Sequence, residues 1–331
     1  MTSQHSPIMI VAQDRRTTWG RYASMIADLL RGQIFFPGDP MDGECLRHPK
    51  LVLGSPNFVA TALLTLPRTS PTMVYTSWET TRVPEVASDI LRSASKVVVP
   101  SRFCQNVFAA TCDIEADIVP HGVAGAFLET PAPKPFIRRT TIGIGGAWMG
   151  AGERKRLQYL VRIFHTIKEC DDVILRVRTG CLPPWAQSVE VAGHRIQWDI
   201  GDKWSASNQV EWFDSLDGFM TISAGEGYDL MSEEAIARGL PVAGTDWGGT
   251  SERHLTVRLP YSMVDMRGIA GFYPEKSLAA LVSDDGIQFG FERLLTAIRN
   301  RRGTRVVPCV SGAPHSIAET AERLKGLIRR L

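Results

Sequence analysis

Short β-branched runs alternate with amphipathic stretches along most of this chain, and that alternation admits few folds. It implies a mostly parallel sheet with helices on both faces. Strand-like segments fall at residues 8–12, 33–36, 51–53, 72–75, 96–99 and 116–119. The polar stretch 13–20 reads as a loop. A helical pattern then runs to Arg31, with Met25, Ile26, Leu29 and Leu30 on one side and Gly32 as its stop. Further helices are expected over 58–64, 84–93 and 101–110, the last capped by Ser101. The alternation breaks at Thr130-Pro131-Ala132-Pro133-Lys134-Pro135, where three prolines in six residues oppose pairing in a central strand. It restarts with strands at 141–144, 173–177, 218–222 and 241–243. A helix is expected over 153–168, another ends near Arg238 before Gly239 and Pro241, and 244–252 reads as a glycine-rich loop.

Two Rossmann-like domains joined by a linker account for this pattern: residues 1–128, a linker over 129–136, and residues 137–305. Residues 306–331 form a tail and helix expected to pack back on the first domain. There Ser316 and Glu319 fit a capping box, and Ile317, Ala321, Leu324, Ile328 and Leu331 form an apolar stripe. In open sheets of this kind ligands bind at the carboxyl ends of the strands, so the expected site is a cleft between the domains.

Composition narrows the classes of partner. Hydrophobic residues at 44% and charged residues at 22% describe a globular protein. Thirty-seven Lys and Arg against 35 Asp and Glu leave a formal charge of +2, too balanced for a dedicated polyanion binder. The doublets Arg15-Arg16, Arg138-Arg139, Arg301-Arg302 and Arg329-Arg330 read as solvated. Cys45, Cys104, Cys112, Cys170, Cys181 and Cys309 are scattered without zinc-like spacing, as in reduced cytosolic proteins. His5, His48, His165, His194, His254 and His315 show no metal spacing, and Asp171-Asp172 lacks a third ligand nearby. Trp198, Trp204 and Trp212 read as core. The apolar run 8–12 is too short for a signal peptide. The uncharged stretch 51–67 contains Gly54, Pro56 and Asn57 and falls short of the ~20 apolar residues of a membrane span. A cytoplasmic location is therefore expected, with peripheral membrane contact left open.

The segment from Ile222 to Glu252 carries the strongest chemical signal. Glu226 follows a strand and Glu234 lies in the next helix, so the pair could reach opposite ends of an extended ligand roughly 10 Å long. The helix start between them offers free N–H groups to a diphosphate, and Gly248-Gly249-Thr250 lets backbone approach it closely. Taken alone the two glutamates would read as solvated carboxylates and the glycines as turns; the combined arrangement favours a site.

This segment resembles the E-x7-E signature of retaining GT-B glycosyltransferases, a family that includes sucrose synthases and bacterial mannosyltransferases. Matching stretches are Glu226-Gly227-Tyr228-Asp229-Leu230, Glu234 through Val242, and Gly248-Gly249 with Glu252. Val99 to Phe103, Ile118 to Val123, Tyr75 to Pro84 and Glu153-Arg154-Lys155 also resemble family segments, in the right order over about residues 72–255. The resemblance implies a retaining transfer from a nucleotide diphosphate sugar, UDP- or GDP-linked, to a hydroxyl of a glycan or glycolipid precursor, with neither metal nor cofactor. Glu234 would hold the ribose and Glu226 the donor sugar near its reacting carbon. Lys155, with Arg154 beside it, would neutralise the diphosphate. Gly145, Gly146, Gly227, Tyr228, Gly248, Gly249 and Thr250 complete the donor side. Gly20, Trp78, Ser101 and His121 are expected on the acceptor side, His121 also with a loop-structural role, and Glu79 is a candidate base.

Several positions depart from the family pattern. Gly145-Gly146-Ala147-Trp148-Met149 occupies the stretch where many relatives carry an Arg, Asp229 replaces Gly, Glu233 replaces a hydrophobic residue, and Trp78-Glu79 stands where many keep His. Other readings on the same fold are a glycosyltransferase acting on a modified base in DNA, an epimerase or phosphorylase, and a non-catalytic nucleotide-sugar binder.

Overall fold

The computed structural model describes residues 8–15, 18–131, 139–146, 152–167, 172–188, 195–201, 205–271, 273–301 and 314–331. Most of the proline-rich segment lies outside them. So do His5, Arg16, Arg138, the 147–149 stretch, Cys170, Asp171, His194, Trp204, Arg302 and Cys309. The chain divides into two compact units, Met1–Gly122 with His315–Leu331, and Val123–Pro314.

The first unit runs β1 (Met9–Ala12), α1 (Thr18–Leu30), β2 (Gln33–Phe35), β3 (Lys50–Gly54), α2 (Pro56–Thr65), β4 (Thr72–Thr76), α3 (Glu85–Leu91), β5 (Lys96–Val99), α4 (Arg102–Cys112) and β6 (Asp117–Ile118). The strands form one parallel six-stranded sheet in the order β2-β1-β3-β4-β5-β6. Alternation along the strands sorts side chains to its two faces. Ile10, Leu53, Tyr75 and Val98 belong to a core shared with α1. Their neighbours Val11, Val52, Val74 and Val97 face the other way and are buried as well, so both faces are covered.

The second unit holds α5 (Gly125–Leu128), β7 (Thr140–Gly145), α6 (Gly152–Lys155), α7 (Leu157–Phe164), β8 (Val173–Thr179), β9 (Ile196–Ile200) and α8 (Ala206–Asp214). It continues with β10 (Gly218–Thr221), α9 (Leu230–Ala237), β11 (Val242–Thr245), α10 (Gly248–Ser251), β12 (Val257–Leu259), β13 (Ser262–Asp265), β14 (Leu278–Leu281) and α11 (Asp284–Asn300). Its parallel six-stranded sheet has the order β12-β11-β10-β7-β8-β9, and β13 and β14 form an antiparallel hairpin. Ile142, Leu175 and Met220 share a core with α7 and α11. Phe219 and Val242 pack with Phe127 of α5, Trp212 and Phe213 of α8, and Ile236 of α9. Arg238, 2% exposed, ties this second layer together: it makes two 2.8 Å hydrogen bonds to Asp214 and donates to the carbonyls of Ala126, Phe127 and Glu129.

The last helix, α12 (Ile317–Ile328), belongs to the first unit and packs on α1. Ser316 accepts from the Glu319 N–H, and Glu319 accepts from the Ser316 N–H, the reciprocal box read in the sequence. Burial of a side chain such as Leu324 contributes roughly 1.5–3 kcal/mol.

Several local expectations change. Leu29 is 40% exposed, because α1 turns Tyr22, Ala23, Ile26 and Leu30 inward instead. Leu331 lies beyond α12 and is exposed, and Leu327 takes its place in the stripe. The expected helix over 153–168 is broken into α6 and α7 by Arg156, whose φ of 55° is left-handed. The guanidinium of Arg156 lies 3.8 Å over the Tyr159 ring, an attraction comparable to the roughly 1–2 kcal/mol that conformation costs. Gly244 and Thr245 extend β11, and Gly248–Ser251 form a helical turn in place of loop. Trp212 is buried with its indole donating to Asp199, and Trp198 packs on the core beside Trp185, so both serve packing. Arg15, Arg139, Arg329 and Arg330 are exposed. No helix of the described residues is long and apolar enough to cross a membrane.

Candidate active site

The chain order of the second sheet reverses between β7 and β10: β8 and β9 extend it on one side, β11 and β12 on the other. Such a reversal leaves a crevice at the carboxyl ends of the two strands. Charged residues gather after β7 and β10. α6, which follows β7, carries Arg154 and Lys155, and the loop after β10 carries Glu226.

Glu226 is buried and bound by both cations: Lys155 Nζ donates to Oε1, and Arg154 Nη1 lies 3.1 Å from the same oxygen. Burial alone would raise its pKa, but the charges of Arg154 and Lys155 and the hydrogen bonds of Lys155 and Ser223 outweigh it, leaving it lowered from 4.5 to about 2. Arg154 is itself buried. It donates to the Gly225 carbonyl and to Ser223 Oγ (3.3 Å), so it braces the Glu226 loop from beneath. Lys155 is the more accessible cation, at 16% side-chain exposure. Gly146 makes room for it, since a Cβ there would meet the Lys155 side chain at 2.7 Å; Gly145 ends β7 just before.

A depressed carboxylate pKa stabilises the fold above its unfolded value and loses that contribution as pH falls through the folded value. The stability difference between wild type and Glu226→Gln is therefore expected to be full above about pH 4.5 and to shrink as pH falls toward about 2. Urea midpoints across that range check it.

The turn after β11 lies against the same loop. Gly249 donates its N–H to the Glu226 carbonyl at 2.7 Å, and a Cβ on Gly249 would come within 2.5 Å of the Tyr228 nitrogen, so only glycine fits. Gly227 forms the backbone it touches, and Gly248 has a φ of 63°. Asp229, also left-handed at φ 68°, caps α9 by accepting from the Ser232 N–H. Burial, then the nearby Glu226 charge, raises its pKa. Glu234 is buried further along α9, where the Gln209 amide, oriented to satisfy both its ends, donates to Glu234 at 3.3 Å and accepts from Arg178 at 3.2 Å. Arg178, Gln209 and Arg253 had no signal in the sequence. Among the described residues no cluster of three or more His, Cys, Asp or Glu is placed to hold a metal ion.

In the first unit the acceptor-side candidates follow several strands, and most have local work. Gly20 sits in the first turn of α1 rather than in a loop; a Cβ there would meet the Asp14 carbonyl oxygen at 1.7 Å, so the return of the chain after β1 requires glycine. Trp78 is buried with its indole donating to the Arg82 carbonyl, and Ser101 caps α4 by accepting from the Cys104 N–H at 3.0 Å. Glu79 lies in the partly exposed loop after β4. The Tyr75 hydroxyl donates to the Val119 carbonyl (2.7 Å) and lies 2.8 Å from His121 Nδ1, within hydrogen-bond distance. The His121 ring packs edge-on against Tyr22 and Trp19. Burial pushes the Tyr22 hydroxyl up to about 12.

No protein-family model matches the sequence, and no curated protein matches it. Solved structures share its architecture, and they define the chain as a GT-B fold. Sucrose-phosphate synthase from Thermosynechococcus elongatus matches with a TM-score of 0.71 at 13% identity, over 98% of this chain and 99% of that one. Anabaena HepE, solved with UDP and glucose, matches with a TM-score of 0.67 at 12% identity, over 99% and 100%. The pneumococcal O-GlcNAc transferase GtfA, solved with UDP and GlcNAc, matches at 0.59 and 16% identity; this chain is covered over 94% but spans only 60% of GtfA.

Proposed function

We propose that this protein is a retaining glycosyltransferase that moves a sugar from a nucleoside diphosphate sugar to a hydroxyl of a glycan or glycolipid precursor. The observation that carries the reading is the buried Glu226–Lys155–Arg154 cluster at the switch point of the second sheet, closed by the Gly248–Gly249 turn. In the reaction the bond from the anomeric carbon to the diphosphate oxygen breaks, the acceptor oxygen bonds to that carbon, and the acceptor proton passes to the departing diphosphate. Lys155 neutralises charge on the departing diphosphate, and the N-terminal end of α9 adds oriented N–H groups, so no metal or other cofactor is needed. Glu226 faces the donor sugar, Glu234 the ribose, and Tyr228 and Thr250 line the same loops. Uridine is the preferred base, supported by the UDP found with HepE and GtfA; guanosine is the alternative.

The first unit takes the acceptor, with Glu79 and His121 as its polar groups. The free thiols of Cys45, Cys104, Cys112 and Cys181 accord with a cytoplasmic setting.

Turnover of UDP-sugars in EDTA, followed by proton NMR of the product, tests the reading. Activity unchanged by EDTA and an α-linked product from an α-linked donor are expected. Activity abolished by EDTA and restored by magnesium or manganese would overturn metal independence, and a β-linked product would replace retention with inversion and make Glu79 the base.

A further inference from the structure

The two residues that depart from the family pattern in this segment, Asp229 and Glu233, are both buried, and both reach to the turn after β11. Asp229 Oδ2 accepts from Thr250 Oγ1 at 3.1 Å as well as from Ser232 Oγ at 2.6 Å. Glu233 Oε2 accepts from Arg253 Nη1 at 2.9 Å, with both side chains less than a tenth exposed. Arg253 donates in turn from Nε to the Gly249 carbonyl at 3.3 Å and lays its guanidinium 3.9 Å over the Tyr228 ring. Gly249 N–H, for its part, binds the Glu226 carbonyl. The loop after β10 with the helix it leads into, and the turn after β11, are thus fastened to each other from both directions. A buried charge pair holds its geometry because either member left alone would be strongly disfavoured, and buried hydrogen bonds are strengthened in the low-dielectric interior.

We infer that Asp229 and Glu233 are positioning residues: acting through Thr250 and Arg253, they hold the Gly248–Thr250 turn against the Glu226 loop before a donor arrives, so the diphosphate meets a preformed cradle. This rests on the donor-site reading above. Loops held in their bound arrangement raise affinity by removing the ordering term from binding. The effect therefore falls on donor affinity more than on the chemical step.

Asp229→Asn keeps the side-chain shape and tolerates the left-handed backbone, and Thr250→Val removes only the hydroxyl from the contact. The double substitution Glu233→Met with Arg253→Met replaces the ion pair by apolar groups of similar length, which guards against misfolding. Calorimetric titration with UDP, and with GDP in parallel, gives Kd; amide hydrogen exchange on the unliganded protein reports the two loops directly. Each variant is expected to weaken nucleotide binding about tenfold and to speed exchange at 226–229 and 247–250. For Asp229→Asn and for the Glu233→Met, Arg253→Met pair, kcat at saturating donor should stay within about threefold of wild type, because a bound donor re-imposes the arrangement. The double Asp229→Asn, Thr250→Val should be no weaker than the worse single, since both break one link.

Unchanged exchange would show that the contacts do not fasten the loops, and faster exchange with an unchanged Kd would reduce them to structure; either overturns the inference while leaving the donor reading intact. Failure of the wild type to bind UDP or GDP overturns the donor reading instead, and the positioning role with it.

Discussion

Glu226→Gln is expected to lower kcat by roughly two orders of magnitude or more, the effect of removing one polar group aimed at developing charge. The substitution preserves shape and keeps a hydrogen-bonding oxygen, so the loss reads the carboxylate charge. Its environment makes the prediction sharper. Glu226 is paired with the Lys155 ammonium that the proposed role gives to the donor diphosphate. Glu226→Gln relaxes that competition, so the affinity for free UDP should be equal to or higher than that of the wild type while turnover collapses. The contrast is Glu234→Ala, which removes a group assigned to the ribose and so should raise the donor KM with a smaller effect on kcat. Steady-state kinetics with UDP titrations separate the two. Near-normal kcat in Glu226→Gln at saturating donor would sink the site assignment.

The second large effect concerns stability. Arg238→Met is expected to cost the second unit about 3–5 kcal/mol, because several acceptors lose a buried donor at once and each one left unsatisfied costs roughly 1–3 kcal/mol. The side chain is 2% exposed, and its removal takes the guanidinium from Asp214 and deprives the carbonyls of Ala126, Phe127 and Glu129 of its hydrogen bonds. Methionine keeps most of the volume, so the loss is one of hydrogen bonding rather than of packing. In scanning calorimetry the transition of the unit should move down by roughly 10 °C. A shift below about 2 °C would mean that water replaces the guanidinium without penalty.

Strand positions were legible because β-branched runs bounded by Gly and Pro have one cheap conformation. The alternation therefore foretold two parallel sheets, and Ser316 with Glu319 foretold the start of the last helix from purely local chemistry. Legibility failed where distant contacts overrule local preference. Nothing near Arg156 announces a left-handed residue; it is set by the seat of its guanidinium on Tyr159. Leu29 and Leu30 are chemically identical, and only the packing angle of α1 decides which faces water.

The site divides in the same way. The residue types of the Glu226 segment stood out through their resemblance to a family, yet the contact between Lys155 and Glu226 joins positions 71 apart in the chain, a pairing no spacing rule reaches. Asp229 and Glu233 were visible as departures without a visible reason. Their partners Thr250 and Arg253 supply it, and Arg253 carried no signal because an arginine on a short loop looks solvated until its burial is known.

The return of α12 to the first unit gives the chain an unusual birth order. Residues up to Gly122 emerge from the ribosome with the part of α1 that α12 packs on uncovered, and it stays so while residues 123–314 are made. At about 5–20 residues per second that interval is on the order of ten to forty seconds. The second unit, continuous in the chain, has its whole sequence available before the unit that starts first has its final helix. The apolar residues of α1 that α12 covers therefore gain that partner only once residues 317–328 have been made.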